Sequence, residues 1–184
     1  MRTLPIALFA FALVAAPAEP AQAQKPTTYG IKGGLVMPGT FYWHEGPYVS
    51  YNFNLSWSAG AFIDHMLAEK LSGGLYLDLN LVNAFDESAV MFDVGATLKA
   101  RLAVGAGGIQ WRPMIGIGYG NLGAIYLFDG TSYLTLKGGA EALIPMGARQ
   151  VLVEGLVFGA PNGGNEDVTT TFGPVFQLRF GLLF

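Results

Sequence analysis

The chain ends on the stretch Phe176-Gln177-Leu178-Arg179-Phe180-Gly181-Leu182-Leu183-Phe184, in which every second residue from Phe176 onward is large and apolar. The residues between them include Gln177, Arg179 and Gly181. This period of two is typical of a strand with one apolar and one polar face. A water-soluble protein rarely ends on such a strand. A barrel in a lipid bilayer requires one, because each of its strands faces lipid on one side and the lumen on the other.

The other end of the chain has the pattern of a secretory signal peptide. Arg2 provides the positive start, Leu4 to Ala16 form a short apolar core, and Ala21-Gln22-Ala23 matches the small-x-small cleavage pattern. The apolar core is shorter than the ~20 residues that a membrane-spanning helix needs. We therefore expect a cleaved signal peptide over residues 1–23 and one barrel domain over residues 24–184.

The composition supports a single domain that exposes little of its surface to water. Apolar residues make up 52 % of the chain and charged residues only 12 %, whereas a soluble domain usually contains about 25 % charged residues. The formal net charge of −3 offers no basic surface, so we expect no nucleic-acid partner. The chain has no cysteine, which excludes a lipoprotein anchor, a disulfide scaffold and a thiolate metal site.

Period-two alternation recurs along the chain and predicts an all-β fold, an eight-stranded antiparallel up-and-down transmembrane β-barrel. In the longest segment, Phe53 and Trp57 share the apolar face. Long and short connections alternate, as in barrels with long loops outside the cell and short turns in the periplasm. The predicted strands are Thr28 to Val36, Val49 to Asp64, Leu71 to Leu81, Val90 to Leu102, Ile109 to Tyr119, Ser132 to Ile144, Gln150 to Gly159 and Thr170 to Phe184.

The polar face of these strands is predicted to line the lumen. It is rich in small residues, which an eight-stranded barrel needs because its interior is only wide enough for its own side chains. Its few charges are nearly balanced, which suits buried charges that must be paired. The predicted lumen charges are Lys32, Lys99, Arg101, Arg112, Lys137 and Arg179, with Asp64, Asp78, Asp93, Glu141 and Glu154.

Aromatic residues fall near the ends of the predicted strands, where aromatic girdles of membrane barrels lie. Tyr29, Trp111 and Phe184 are expected at the periplasmic end. The outer girdle is predicted to contain Tyr51, Phe92, Tyr119 and Phe172.

With this architecture and this terminal strand, the chain resembles the small eight-stranded outer-membrane proteins of the OmpA-barrel and OmpX type, and more loosely the OmpW family. The resemblance implies the outer membrane of a Gram-negative bacterium, contact with membrane lipid and lipopolysaccharide, and insertion by the barrel-assembly machinery. It also implies that the assembly machinery reads the terminal strand, here Phe176, Leu178, Phe180, Leu182 and Phe184. It implies no unique function, because such proteins include structural, adhesive and enzymatic members.

Few residues in the sequence suggest chemistry. His44 lies in the first predicted outer loop, and Asp86-Glu87-Ser88 lie in the second, a set that resembles that of outer-membrane palmitoyltransferases and could support acyl transfer. Such an enzyme needs an apolar pocket, whereas the predicted lumen is charged. His65 is read as an interfacial polar residue, since its neighbour Asp64 points to the opposite face. No metal-ligand spacing or phosphate loop is present, so neither catalysis nor a cofactor is expected.

The remaining functional hypotheses are a narrow low-conductance channel and a structural or surface-interaction protein. Eight strands leave little room for water, which argues against a general porin. The first predicted outer loop is the best candidate contact surface, because exposed aromatic residues are common binding anchors. Its aromatic residues are Phe41, Tyr42, Trp43 and Tyr48. We therefore expect a structural or adhesive outer-membrane protein, with a lipid-modifying acyltransferase or deacylase as the alternative.

Overall fold

The computed structural model describes residues 27–44, 48–84, 87–102, 104–123, 130–164 and 169–184. The predicted signal peptide lies outside this part of the chain. No helix among the described residues is long and apolar enough to cross a membrane. The elements are β1 (Thr27–Val36), β2 (Gly39–His44), β3 (Tyr48–Phe53), β4 (Ser56–Ala68), β5 (Leu71–Ala84), β6 (Glu87–Ala100), a 3-10 turn (Ala106–Gly108), β7 (Gln110–Leu122), β8 (Thr131–Met146), β9 (Arg149–Gly164) and β10 (Thr169–Leu183).

The strands form one antiparallel sheet that closes on itself, because β1 pairs with β4 on one side and with β10 on the other. Each strand from β4 to β9 also pairs with the next one along the chain. Two long strands are interrupted. β2 follows β1 after Met37 and Pro38, and β3 leads into β4 after Asn54 and Leu55. With each interrupted strand counted once, the wall is the predicted eight-stranded antiparallel up-and-down barrel.

The two ends of the barrel differ. At the end that we call the turn end, Glu69 and Lys70 join β4 to β5, and Gly147 and Ala148 join β8 to β9. Gly147 has a φ of 65°, a left-handed conformation that glycine adopts without a steric penalty. At the opposite end, the loop end, β2, β3 and the extended tips of β5 and β6 occupy much of what the sequence predicted as loops. Strand pairing therefore continues well into the predicted first and second outer loops.

The apolar face of the barrel looks outward, as predicted. Leu75 and Ile115 are 62 % and 64 % exposed, whereas their inward neighbours Tyr76 and Met114 are buried. Inward glycines make room for large partners. A Cβ atom on Gly118 would clash with the Tyr76 hydroxyl and would lie 2.6 Å from Asp93 Oδ1. Close contact of this kind explains why a narrow barrel alternates glycine with long side chains.

Candidate functional site

Among the described residues, ten charged side chains are buried in the interior of the barrel, and they form two ion clusters. The central cluster joins three cations to three carboxylates, and the lateral cluster joins two to two, so each cluster is neutral by itself. The central cluster is Lys32, Lys137, Arg179, Asp78, Asp93 and Glu154, and the lateral cluster is Lys99, Arg112, Asp64 and Glu141.

Asp78 is the hub of the central cluster. Its carboxylate lies 2.8 Å from Arg179 Nη1, 2.6 Å from Lys137 Nζ and 3.9 Å from Lys32 Nζ. Glu154 pairs with Arg179 and also accepts a hydrogen bond from Lys32 Nζ at 3.1 Å. Asp93 completes the cluster at 2.6 Å from Lys137. Every carboxylate therefore has at least one cation within ion-pair distance.

Aromatic rings line the two clusters. Lys137 Nζ lies 3.8 Å from the centroid of Tyr76, whose hydroxyl donates to Asp93. Phe62 lies between the clusters, with Lys32 Nζ at 5.4 Å and Lys99 Nζ at 4.9 Å from its centroid. Cation–π contact stabilises desolvated cations. Phe62 therefore separates the two clusters while it contacts a cation of each.

The lateral cluster lies nearer the turn end. Lys99 Nζ is 2.9 Å from Asp64 and 3.1 Å from Glu141, and Arg112 pairs with the same two carboxylates. Because the partners are shared, no buried charge of this cluster is isolated, and isolation would be strongly destabilising. In this part of the interior the charges are therefore paired with one another.

Arg101, predicted among the lumen charges, does not belong to either cluster. It follows the last residue of β6 and takes part in none of the ion pairs between described residues. The alternation that predicted an inward Arg101 ends with the strand at Ala100. Burial and the nearby Arg112 guanidinium lower the pKa of Arg101, and it stays a cation because an arginine guanidinium does not lose its proton in proteins.

The charged interior occupies only part of the barrel, which the sequence did not predict. Toward the loop end an apolar layer fills the lumen, and a smaller apolar group with Leu143, Leu152 and Leu183 lies near the turn end. The buried residues of the loop-end layer are Val36, Phe53, Val82, Ala89, Met91, Met114, Leu122, Tyr133, Leu156, Phe158, Ala160, Phe172 and Val175.

Phe172 is the centre of this layer, which corrects its predicted place in the outer girdle. It is only 4 % exposed, and its ring stacks on Phe53 at 5.0 Å and Phe158 at 5.5 Å, with Phe41 edge-on at 6.2 Å. Irregular pairing of β10 with β9 between Thr170 and Val175 is the cause. A bulge adds one residue, and a shift of one residue turns every later side chain to the other face.

Phe53 was also predicted to face outward and is buried for a related reason. The break at Asn54 and Leu55 changes the alternation between Phe53 and the exposed Trp57. The break at Met37 and Pro38 likewise lets Phe41 pack against the apolar layer. Interruptions at one height of three neighbouring strands thus bring Phe41, Phe53 and Phe172 together with Phe158. We call these four rings the aromatic cap.

The other girdle residues lie on the outer wall. Tyr29 and Trp111 are exposed toward the turn end, and Phe92 and Tyr119 are exposed toward the loop end. The side chain of Tyr51 lies outside the described part of the structure. Trp57 is a further exposed aromatic residue near the loop end that the girdle prediction omits.

The terminal strand closes the barrel against β1. Phe176 and Phe180 are exposed on the outer wall, and Leu178 and Phe184 are partly exposed. Leu182 is covered, with Ile31 and Val151 opposite it on the neighbouring strands. The Phe184 amide donates to the Tyr29 carbonyl at 2.9 Å, and the two rings stack at 6.2 Å.

The predicted acyl-transfer residues are only partly described. Asp86 and the side chains of His44 and Glu87 lie outside the described residues. The Ser88 hydroxyl donates to Asn83 Oδ1 at 2.7 Å, and Asn83 in turn holds the β3–β4 break through Asn54, Leu55 and Ser56. His65 bonds Thr27 at 2.8 Å. Within the described part of the chain, no group of three or more metal-ligating side chains occurs.

Comparisons with known proteins identify the fold. No protein-family model matches the chain, and no curated protein sequence matches it. The outer membrane protein OprG from Pseudomonas aeruginosa is similar in structure, with a TM-score of 0.55, 15 % identity, and coverage of 89 % of this chain and 99 % of that one. Ail, the attachment invasion locus protein of Yersinia pestis, aligns over 87 % of this chain and 100 % of its own, with 12 % identity and a TM-score of 0.48. The likeness to OprG establishes a fold that transmembrane barrels share.

Proposed function

We propose that the protein is an integral outer-membrane barrel of a Gram-negative bacterium, exported with a cleaved signal peptide, whose closed interior serves stability and whose role is structural or surface-interacting. The observation that carries this proposal is the combination of an apolar outer wall with an interior closed by three layers. Those layers are the apolar group near the turn end, the two ion clusters and the loop-end apolar layer.

The outer wall supports a membrane location. Large apolar side chains that would be costly to expose to water cover β5, β6 and β7, and aromatic residues flank them toward both ends. Contiguous exposed apolar surface of this extent has no place on a soluble monomer. Surrounding membrane lipid and lipopolysaccharide are the natural contacts of such a wall, and the stacked Phe184 is suited to be the end that the assembly machinery reads.

The closed interior supports a role outside the lumen. An ion that entered from the loop end would have to displace the aromatic cap and then break ion pairs that hold buried charges. A channel would need mobile water at both levels. Catalysis has little support either, because the Ser88 hydroxyl is held by Asn83 and the loop-end apolar layer is filled by the protein's own side chains.

The β2–β3 hairpin is the best-placed surface for a partner. The hairpin lies at the loop end, where β2 pairs with β10 on one side and with β3 on the other. Ser50 and Asn52 are exposed, and Thr40 donates to Asn52 at 3.0 Å, which stiffens its base. A hairpin whose base is held by this hydrogen bond and whose sequence carries several aromatic residues is suited to surface contact.

Cysteine labelling in intact cells tests the orientation. Because the natural chain has no cysteine, Ser50→Cys and Met146→Cys each introduce a single reactive thiol at an exposed position, one at each end of the barrel. We expect a membrane-impermeant maleimide to label Ser50→Cys in intact cells and Met146→Cys only after the outer membrane is permeabilised. The reverse pattern would contradict the proposed orientation, and equal labelling would contradict the membrane location.

Shortening the hairpin tests the surface role. Replacing residues 42–50 by Asn-Gly leaves the register partners Phe41 and Tyr51 beside a two-residue turn, so the aromatic cap keeps Phe41. We expect a folded barrel, judged by heat-dependent mobility on a gel, and loss of cell attachment to protein-coated surfaces. Attachment equal to that of the natural protein would place the contact surface elsewhere.

A further inference from the structure

The cations outside the ion clusters are concentrated at the turn end. Lys70 lies in the β4–β5 turn, Arg101 follows β6, and Arg149 begins β9, with Glu69 as the carboxylate in the same turn as Lys70. The loop end is different in sequence. Its connections, residues 45–47, 85–86, 123–130 and 165–168, contain five carboxylate residues and no lysine or arginine. The barrel is therefore electrically polarised, with positive charge at the turn end.

Two of these cations are direct neighbours. The Arg101 amide donates to the Lys70 carbonyl at 2.8 Å, and Leu71 pairs with Ala100 one step further along the strands. Arg101 Nε is buried and has no hydrogen-bond partner among the described residues. Lys70 and Arg101 therefore occupy adjacent backbone positions, and neither forms an ion pair with another described residue, so the two cations together offer a contact for an anion.

Apolar side chains surround this pair. Leu67 and Leu102 are 59 % and 52 % exposed, and the Leu102 amide donates to the Trp111 carbonyl at 3.0 Å, which places the exposed Trp111 beside it. Further along the wall, Leu75 and Leu98 present exposed apolar surface on the neighbouring strands β5 and β6. Cations next to an aromatic and above an apolar wall form the arrangement that receives a lipid headgroup with its acyl chains.

We propose that Lys70 and Arg101 bind the phosphate of an anionic phospholipid in the periplasmic leaflet, with its acyl chains along the wall formed by Leu75 and Leu98. This inference rests on the proposed membrane function. It assigns a ligand to Arg101, which lies outside both ion clusters, and a purpose to the polarised charge. Glu69 opposes the site weakly, and Arg149, on a separate turn, adds to the positive field.

Tryptophan quenching by brominated lipids tests the site. The protein with Trp43→Phe and Trp57→Phe retains Trp111 beside the proposed site, and the protein with Trp43→Phe and Trp111→Phe retains Trp57 near the loop end. Each is folded into vesicles with brominated phosphatidylglycerol or phosphatidylcholine. For Trp111 we expect stronger quenching by brominated phosphatidylglycerol than by brominated phosphatidylcholine, which corresponds to an affinity higher by about fivefold for each cation at low ionic strength. For Trp57 we expect equal quenching by the two lipids.

Variants assign the preference to these residues. The double variant Lys70→Ala with Arg101→Ala should abolish the preference for phosphatidylglycerol, and high salt should weaken that preference. Glu69→Gln should increase the preference, because that variant removes the opposing charge. Equal quenching of Trp111 by the two lipids would overturn the lipid site while leaving the membrane function in place. A preference that survives the double alanine variant would also overturn it. If brominated phosphatidylcholine quenched neither tryptophan, the walls would not face lipid, and the proposed membrane function would fail as well.

Discussion

Glu154→Gln is expected to destabilise the barrel by about 3–5 kcal/mol, because it leaves Arg179 and Lys32 with one carboxylate fewer in a site that excludes water. Glu154 accepts from Lys32 Nζ at 3.1 Å and pairs with Arg179, and all three side chains are buried. The measurement is the free energy of unfolding from urea titrations in lipid vesicles, followed by tryptophan fluorescence.

Matched variants separate charge balance from shape. Glu69→Gln makes the same chemical change at an exposed turn and should alter stability by less than about 0.5 kcal/mol. Adding Lys32→Met to Glu154→Gln makes the central cluster neutral again and should recover part of the loss. Adding Lys99→Met instead balances the whole interior but leaves both clusters charged, so it should recover nothing. Equal recovery by the two lysine variants would show that the clusters do not act separately.

Phe172→Ala is expected to cost about 3–5 kcal/mol, the usual range for truncating a buried phenylalanine, since three rings lose their common partner. We also expect it to leave conductance across a planar bilayer at background, because the ion clusters still close the lumen below the aromatic cap. Urea unfolding in vesicles and single-channel recording measure the two effects.

The conservative replacement is the control for the aromatic cap. Phe172→Leu keeps an apolar side chain of similar size and should cost less than about 1.5 kcal/mol. A loss below about 1 kcal/mol for Phe172→Ala would contradict the central place of this ring in the loop-end layer. Stepwise conductance in the alanine variant would show that the aromatic cap alone seals the lumen.

For β5 and β6, the alternation in the sequence was sufficient to predict which side chains face outward and which face the lumen. From Leu77 to Leu81 and from Phe92 to Ala100, apolar residues alternate with polar residues or glycine, and the more exposed and less exposed positions follow that order. Strands paired without interruption have no means of changing face, so a local pattern predicts their orientation. Phe172 and Phe53 were misassigned because a bulge and a strand break lie between them and the regular part of their strands. The alternation of apolar and polar residues does not reveal these interruptions. Proline and glycine mark two of the three interrupted positions, at Pro38 and at Gly173-Pro174, but not the break at Asn54 and Leu55.

The ion clusters were also predicted only in part from the sequence. Inward placement of the charges could be predicted from strand periodicity, and their near balance suggested pairing. Which cation meets which carboxylate could not be predicted, because Lys32 and Glu154 are 122 residues apart in the chain. Arg101 was predicted in the charge network but joins no ion pair among the described residues, because it lies beyond the last paired residue of β6, and strand ends depend on hydrogen bonds that a local pattern does not contain.

The sequence by itself determined that this chain forms an outward-apolar barrel of eight strands, because two-residue periodicity is a local property that fixes which face meets which surroundings. Only the tertiary structure decided how the lumen is closed. Closing the sheet brings distant strands together. Near the loop end, three strand interruptions turn phenylalanine side chains into the lumen. Nearer the turn end, the inward charges form two neutral clusters. Those arrangements depend on register around the whole barrel, which no single segment of the chain contains.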